Sequence, residues 1–236
     1  MDRIGLIGGV GWMSTMEYYR RLNLIAQAAG HHDSAKLVMY SMNFGDILKV
    51  QQDNDEEGEF QILLRAALEL ERSGATKILI CSNTATDTCD RLATHIAIPT
   101  INIIDATVAA AKRSGFKSFG LLGTRYVMER GIYIERFGRE GLHIVLPRPA
   151  YREAVQDAFY DDSSLYNFPE KATKAVRAAI DDLIVQDVDA VILGGTELPL
   201  MRERMSPSPG IELIDSIDVH IAAALQADAS IRAHEA

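Results

Sequence analysis

The sequence contains very little cysteine and no long apolar run. Its only cysteines are Cys81 and Cys89, which excludes a disulfide-rich scaffold and favours two free thiols. No uninterrupted apolar segment approaches the ~20 residues that a transmembrane helix requires. The amino-terminal MDRIGLIGG lacks the apolar core and cleavage site of a secretory signal. We therefore expect a cytoplasmic protein with no membrane partner.

Positive charge is also scarce. The chain has 24 Lys and Arg residues against 33 Asp and Glu residues, a net charge of −9. Because this balance leaves little to neutralise phosphates, we expect no nucleic-acid partner, although the field at one site can still attract a small anion. The six histidines show no metal-ligand spacing, so we expect no metal site.

Short apolar runs alternate with helix-periodic stretches along the whole chain. The predicted strands are 3–7, 36–40, 77–81, 100–103, 118–122, 143–146, 190–193 and 212–214. The predicted helices are 14–29, 57–73, 107–114, 129–140, 169–186 and 216–225. This order predicts an α/β fold with mostly parallel, Rossmann-like sheets that are covered on both faces.

An internal repeat divides the chain. IGLIGG at 4–9 resembles FGLLGT at 119–124, and the two further turns described below have nearly the same separation. We therefore predict two pseudo-equivalent lobes, the first formed by residues 1–101 plus 207–236 and the second by 102–206. The carboxyl-terminal strand and helix return to the first lobe in this prediction, and a ligand binds in a cleft between the lobes.

The first glycine-rich turn is GGVGW at 8–12. It resembles part of a dinucleotide-binding fingerprint, which also needs an acidic residue at the end of the second strand. That strand ends in YSMN at 40–43, so a tight strand-to-helix turn capped by Ser14 or Thr15 is the favoured interpretation. Dinucleotide binding is the minor alternative.

Two more specific turns follow buried strands. In CSNTATD, Ser82, Asn83 and Thr84 offer two hydroxyls and an amide where we expect the next helix to begin, a place that attracts carboxylates. In GGTELPL, Thr196 can donate to an anion and Glu197 can orient an ammonium group. Helix capping without a ligand is the alternative role for these polar residues.

Five segments carry a family resemblance: IGLIGGVGWMSTMEYY, YSMNFGDI, CSNTATD, FGLLGTRYVME and LGGTELPL, in this order. The chain resembles the aspartate/glutamate racemase family of PLP-independent amino-acid racemases. The resemblance implies two α/β lobes, a homodimer, no cofactor, and a small acidic amino acid or dicarboxylate as the substrate. It implies that substrate carboxylates contact Asn83, Thr84, Thr124 and Thr196, with Gly195 and Glu197 beside them and Gln51 as a further candidate.

The chain departs from the family at the positions that transfer protons. The resemblance implies two cysteines that face opposite sides of the substrate Cα, and these positions are Ser82 and Gly195 here; a position that is often histidine is Thr86. Serine is a poor base without a partner, so we expect impaired Cα proton transfer.

Cys81 is one residue too early for the catalytic position. Strand alternation turns its side chain to the core, but a local bulge would bring it into the site, so Ser82 and Cys81 are both catalytic candidates. Two alternative functions remain open at this point. One is lyase or isomerase chemistry on a small dicarboxylate, and the other is amino-acid binding without catalysis.

Overall fold

The computed structural model describes residues 3–85, 88–160, 169–202 and 210–234. Within them the chain forms eight strands in two four-stranded, all-parallel sheets and eleven helices. The chain separates into two compact units, one of Met1–Ile103 with His220–Ala236 and one of Ile104–Val219. The predicted α/β class and the two repeated lobes are confirmed.

The sheet of the first unit has the order β2-β1-β3-β4. Its strands are β1 (Ile4–Gly8), β2 (Leu37–Ser41), β3 (Lys77–Ile80) and β4 (Thr100–Ile101). Its helices are α1 (Trp12–Ala29), α2 (Phe44–Gln52), α3 (Glu56–Arg72) and α4 (Cys89–Leu92). The central strands β1 and β3 are buried along their whole length, because helices cover both faces of a parallel sheet.

The sheet of the second unit has the equivalent order β6-β5-β7-β8. Its strands are β5 (Ser118–Leu122), β6 (His143–Val145), β7 (Ala190–Leu193) and β8 (Glu212–Asp215). Its helices are α5 (Ile103–Ser114), α6 (Arg125–Glu129), α7 (Ile132–Arg139), α8 (Pro149–Tyr160), α9 (Glu170–Val185) and α10 (Leu198–Arg202). The last helix, α11 (Ser216–His234), follows β8. No helix in the described ranges combines the length and apolar character needed to cross a bilayer.

All eight predicted strands are present, but the placement of the last one was wrong. We expected the strand at 212–214 to return to the first lobe, whereas β8 pairs in parallel with β7, from Ala190↔Glu212 to Leu193↔Asp215. This pairing satisfies the edge of β7, which would otherwise leave its backbone groups unpaired. It also makes β8 the repeat equivalent of β4, which pairs with β3 in the same way.

The helix predicted over 129–140 is two helices, α6 and α7, because Gly131 between them has a φ of 79°. The predicted ranges leave out α2 and α8 and the short helices α4 and α10. The two longer helices begin with a recognisable signal: the Asn43 side chain accepts from Gly45 N at the start of α2, and α8 begins at Pro149, a residue that is favoured at the first helical position.

A glycine in one central strand of each sheet, β1 and β5, lets a helix pack directly on the sheet. A Cβ on Gly5 would lie 3.3 Å from Leu70 Cδ1 of α3, and a Cβ on Gly120 would lie 2.7 Å from Leu183 Cδ1 of α9. Both leucines are buried. The repeated glycines at these positions therefore have a packing role, since a larger side chain would push the helix away from its strand.

A buried polar chain of contacts joins α1, α11 and β4 in the first unit. His220 is fully buried, its Nδ1 lies 2.8 Å from the hydroxyl of buried Tyr18, and its Nε2 lies 2.8 Å from the carbonyl oxygen of Ile101. Because a carbonyl oxygen only accepts, Nε2 donates and Nδ1 accepts from the tyrosine. The imidazole is therefore neutral with both nitrogens satisfied.

The charge state of His220 makes stability depend on pH. Burial lowers the pKa of His220 to about 4, although the bond to the Ile101 carbonyl opposes this shift. The unfolded chain, with an ordinary histidine pKa near ~6.5, binds the extra proton first as the pH falls. The neutral His220 side chain therefore contributes its full share of stability above the histidine pKa of the unfolded chain. This contribution declines as the pH falls from ~6.5 to ~4.

We predict that replacing His220 by glutamine, which keeps one acceptor and one donor, removes part of this pH dependence. Between pH 7 and pH 4, the free energy of unfolding should fall by on the order of 3 kcal/mol more in the native chain than in the variant. Urea unfolding at a series of pH values measures the difference, with exposed His143→Gln as the control that keeps the native profile. Parallel profiles for the native chain and His220→Gln would contradict the prediction.

Candidate functional site

Strand order determines where a site can form in each unit. In the order β2-β1-β3-β4, the chain leaves β1 for one edge of the sheet and leaves β3 for the other. The carboxyl ends of β1 and β3 therefore flank a topological switch point, where open parallel sheets bind ligands. The equivalent switch point in the second unit lies between β5 and β7. All the turns that the sequence singled out follow these four central strands.

The glycine-rich turn after β1 is closed by its own backbone and by Thr15. Gly9 has a φ of 93°, and a Cβ there would lie 2.1 Å from the carbonyl oxygen of Met42. The Gly9 amide donates to Thr15 Oγ1 at 3.1 Å, and this hydroxyl lies 3.1 Å from the carbonyl oxygen of Gly11. Thr15 thus holds the turn rather than capping α1. The Thr15 hydroxyl accepts from the Gly9 amide, which a dinucleotide phosphate would need as a donor. The geometry therefore disfavours dinucleotide binding.

The turn after β3 carries three consecutive polar residues, of which Ser82 and Asn83 are buried and Thr84 is half-buried. Ser82 is 6% exposed and Asn83 is 7% exposed. The hydroxyl oxygens of Ser82 and Thr84 lie 2.9 Å apart, and the Thr84 amide donates to Ser82 Oγ at 3.2 Å. Two of the predicted site residues are therefore in direct contact.

The residues around this turn are described as a turn at Thr84 and Ala85 and as helix α4 over Cys89–Leu92. The Thr84 amide donates to the Ser82 side chain, a local bond of the kind that favours turns. That Asn83 and Thr84 lie beside a helix amino terminus stays a prediction. Thr86 and Asp87 lie outside the described residues.

Cys81 continues the sheet without a bulge. Its amide donates to the carbonyl oxygen of Ile7 at 2.8 Å, one step beyond the paired residues Ile7 and Ile80. The side chain is 1% exposed, and burial raises the pKa of the Cys81 thiol far above its ordinary value. A thiol that stays protonated is a poor base, so its burial favours a packing role. Cys89 packs in the core of the first unit.

In the second unit, Thr124 follows β5 and caps α6. Its hydroxyl accepts from the Val127 amide at 3.3 Å, as the capping interpretation expected. The next amide, of Arg125, donates to Gln156 Oε1 at 2.6 Å. The sequence analysis missed Gln156, because it missed α8. The turn after β5 is therefore built by side chains from two elements.

The turn after β7 brings Thr196 and Glu197 together. Thr196 is 6% exposed, and its hydroxyl donates to Glu197 Oε2 at 3.3 Å. The ends of β5 and β7 are adjacent, since the Gly194 amide donates to the carbonyl oxygen of Leu122 at 2.7 Å. Hydroxyls from both strand ends thus lie at one switch point.

Position 195 is glycine, and a neighbouring ring fills the space beside it. A Cβ on Gly195 would lie 2.5 Å from Cζ and 3.0 Å from Cε1 of Phe159. Phe159 belongs to α8, one turn after Gln156. Real Cβ atoms do not approach other atoms so closely, so a side chain at 195 requires the ring to move.

Gln51 is the predicted site residue least connected to these turns. It lies on the last turn of α2, about 12 Å along the helix axis from the Asn43 cap at the end of β2. Its side-chain amide donates to Glu59 Oε1 at 2.9 Å. Across the described residues, no group of three His, Cys, Asp or Glu side chains is arranged to hold a metal ion.

The fold and its turns define an α/β protein in which each parallel sheet presents hydroxyl and amide side chains at a switch point, a chemistry suited to a small anion. The chain belongs to the Asp/Glu/hydantoin racemase family, whose family model matches residues 7–224.

Individual racemases and racemase homologues are similar to this chain in sequence and in structure. A candidate Asp/Glu racemase from Yersinia pestis is 35% identical, with a TM-score of 0.85 over 95% of this chain and 97% of that one. An aspartate racemase homologue from Pyrococcus horikoshii is 28% identical, with a TM-score of 0.78 over 96% of this chain and 98% of that one. A glutamate racemase of Thermus thermophilus is 27% identical over 162 residues, 66% of this chain. The match spans only 58% of that racemase.

The crowded turn after β1 gives a stability prediction. Gly9→Ala should destabilise the chain by clearly more than Gly115→Ala, because the two glycines have similar φ values, 93° and 79°, and only Gly9 has atoms within 4 Å of an added Cβ. The control should cost about 1–2 kcal/mol from left-handed backbone strain alone. Chemical denaturation measures both variants, and equal losses would show that the Met42 backbone leaves room for a methyl group.

Proposed function

We propose that the protein is a PLP-independent isomerase that binds a small acidic amino acid, aspartate or glutamate, and transfers its Cα proton slowly. The observation that carries this proposal is the turn after β3, in which Ser82 and Asn83 are buried and the Ser82 hydroxyl contacts that of Thr84. Membership of the racemase family supports an acidic substrate and Cα chemistry. The missing thiols support the slow rate.

The substrate carboxylates bind neutral donors in this proposal. By the family resemblance, the residues proposed to bind carboxylates are Asn83 and Thr84 in the first unit and Thr124 and Thr196 in the second. A hydrogen bond from a neutral donor to a charged group contributes about 1.5–3 kcal/mol. Glu197, already in contact with Thr196, orients the substrate ammonium, and Gly195 lies next to these two residues in the turn after β7. Gln51 is the weakest member, since its amide is bonded to Glu59.

The proton carriers limit the reaction. Ser82 is bonded to another hydroxyl, that of Thr84, which cannot act as its base at neutral pH, and the buried Cys81 thiol stays protonated. A well-placed general acid or base typically contributes about 10²- to 10⁴-fold in rate. Exchange through Ser82, Cys81 or water is therefore slower than a two-thiol reaction by a factor of this order.

Amino-acid binding without catalysis is the second candidate. Position 195 favours it, because glycine has no side chain to carry a proton there, and the ring of Phe159 lies beside it. Lyase or isomerase chemistry on a small dicarboxylate remains compatible with the turns, since stabilising an enediolate requires only oriented donors.

The test is Cα hydrogen exchange in D₂O, followed by NMR, with L- and D-aspartate and L- and D-glutamate, combined with calorimetry. We expect binding of at least one of these ligands and slow exchange above the buffer rate. Binding without exchange of any enantiomer would favour the binding protein, and turnover of malonates or maleate alone would favour the dicarboxylate alternative. Absence of binding would remove the proposed ligand class.

A charge substitution tests the first turn. Asn83→Asp should weaken ligand binding at least ~10-fold, because it removes a donor and places a carboxylate against the ligand's own carboxylate. Gln27→Glu, at an exposed position of α1, adds the same charge elsewhere and should leave calorimetric affinity unchanged. Equal ligand affinities of the two variants would show that the ligand's carboxylate does not bind beside Asn83.

We also propose that the protein is a cytoplasmic homodimer, as the family resemblance implies. One face of α1 exposes Trp12, Met16 and Tyr19, with 51%, 51% and 47% of their surface accessible. Their helical spacing aligns them within about 60° around the axis, so they form a continuous apolar stripe for a second copy.

Sedimentation can test this stripe. Met16→Glu should shift the chain towards the monomer, because it places a charge in the apolar contact. Leu24→Glu is the matched control, since Leu24 is 49% exposed on the same helix but points about 80° or more away from the stripe. A dimer that is insensitive to Met16→Glu, or a native monomer, would contradict the proposed interface.

A further inference from the structure

We propose that Arg152 of α8 is a specificity-determining residue that binds the side-chain carboxylate of an acidic amino acid at the switch point of the second unit. The inference rests on the proposed function and deepens it, since it names the group that separates aspartate and glutamate from neutral amino acids. All the residues concerned belong to the second unit.

The carboxylate contacts of the second unit lack a positive charge. Thr124 and Thr196 are neutral donors, and Glu197 beside Thr196 is acidic. Every amino acid carries an α-carboxylate that neutral donors can bind, so these donors alone do not distinguish an acidic ligand from a neutral one. A charge-assisted hydrogen bond from a guanidinium is about twice as strong as a bond between neutral groups, and it supplies that distinction.

One face of α8 contacts the strand-end turns of the second unit. Arg152, Gln156 and Phe159 follow at intervals of four and three residues, which aligns them within about 60° around the helix axis. Gln156 Oε1 accepts from the Arg125 amide in the turn after β5 at 2.6 Å. The Phe159 ring lies beside Gly195 in the turn after β7. Arg152 therefore lies on the face of α8 that meets these turns, one helical turn from the contact made by Gln156.

The guanidinium of Arg152 lies between α8 and α6. The Arg152 side chain is 24% exposed, and its Nη1 lies 3.4 Å from Glu129 Oε1 of α6, farther than the ~2.7–2.9 Å of a close charge-assisted bond. Its Nε is buried and has no acceptor among the described residues, although buried donors almost always have a partner. Nε and Nη2 form an edge that matches the two oxygens of a carboxylate, and Glu129 contacts Nη1 instead.

A structural tie between the two helices is the alternative role of Arg152. The ion pair with Glu129 would then hold α6 on α8, as the bond from the Arg125 amide to Gln156 does. The two roles differ in what Glu129 does. In a tie, Glu129 is the partner that the arginine requires, whereas in a carboxylate site it competes with the ligand for the same cation. Removing the charge of Glu129 therefore weakens a tie and strengthens a carboxylate site.

Competition calorimetry with an acidic amino acid and its amide tests the assignment. The probes are both enantiomers of aspartate, asparagine, glutamate and glutamine. The native chain should bind at least one acid more tightly than its amide, and Arg152→Gln should lower this preference at least ~10-fold, because the amide has nearly the same shape and lacks the charge. Arg139→Gln removes an exposed arginine of α7 that is paired with Glu135; it is the matched control and should keep the native preference.

Glu129→Gln separates the two roles. The affinity for the acid should rise about 3-fold, because the guanidinium then pairs with the ligand alone, and the affinity for the amide should stay unchanged. A tie would instead make Glu129→Gln and Arg152→Gln lower both the melting temperature and the affinity. Arg152→Lys keeps the charge without the planar fork, so it should retain part of the preference that Arg152→Gln loses.

The outcomes distinguish a failure of this inference from a failure of the proposed function. A native chain that binds acid and amide equally, or an Arg152→Gln variant that melts cooperatively and keeps the native preference, would overturn the role of Arg152 and leave aspartate and glutamate as candidate substrates. A fall in acid affinity in Glu129→Gln would also overturn it, even if Arg152→Gln does not fold. A native chain that binds none of these amino acids would overturn the proposed function, and the carboxylate assignment with it.

Discussion

The parallel pairing of β1 with β3, and of β5 with β7, is the constraint on which the remaining features depend. Each pair is central in its sheet, and the connections leave the two strands in opposite directions. The carboxyl ends therefore face open space rather than a crossing helix. Every polar residue proposed to contact the ligand, apart from Gln51 and Arg152, follows one of these strand ends. The chemistry of the protein is in this sense a consequence of strand order.

Glycine serves two physical purposes around these strands. Gly5 and Gly120 lie within the sheet and let a leucine of α3 or α9 approach the backbone. Gly9 and Gly195 lie beyond the strand ends, where the backbone of Met42 or the ring of Phe159 leaves no room for a side chain. The first pair sets the distance between layers, and the second pair shapes the surface that a ligand meets.

The sequence predicted the strands and the two-lobed fold because buried parallel strands are short, apolar and bounded by glycine. It could not predict pairing, and β8 was assigned to the wrong sheet although its spacing from β4 matches the repeat. The sequence also could not predict the contacts around the turns, because these contacts join segments that are distant along the chain. Gln156 and Phe159 belong to α8, a helix with no strong apolar pattern.

The packing of Phe159 against Gly195 couples sequence change at the two positions. A side chain at 195 requires the ring to move, since an added Cβ would lie 2.5 Å from Phe159 Cζ. The effect on stability of a substitution at either position therefore depends on the residue at the other.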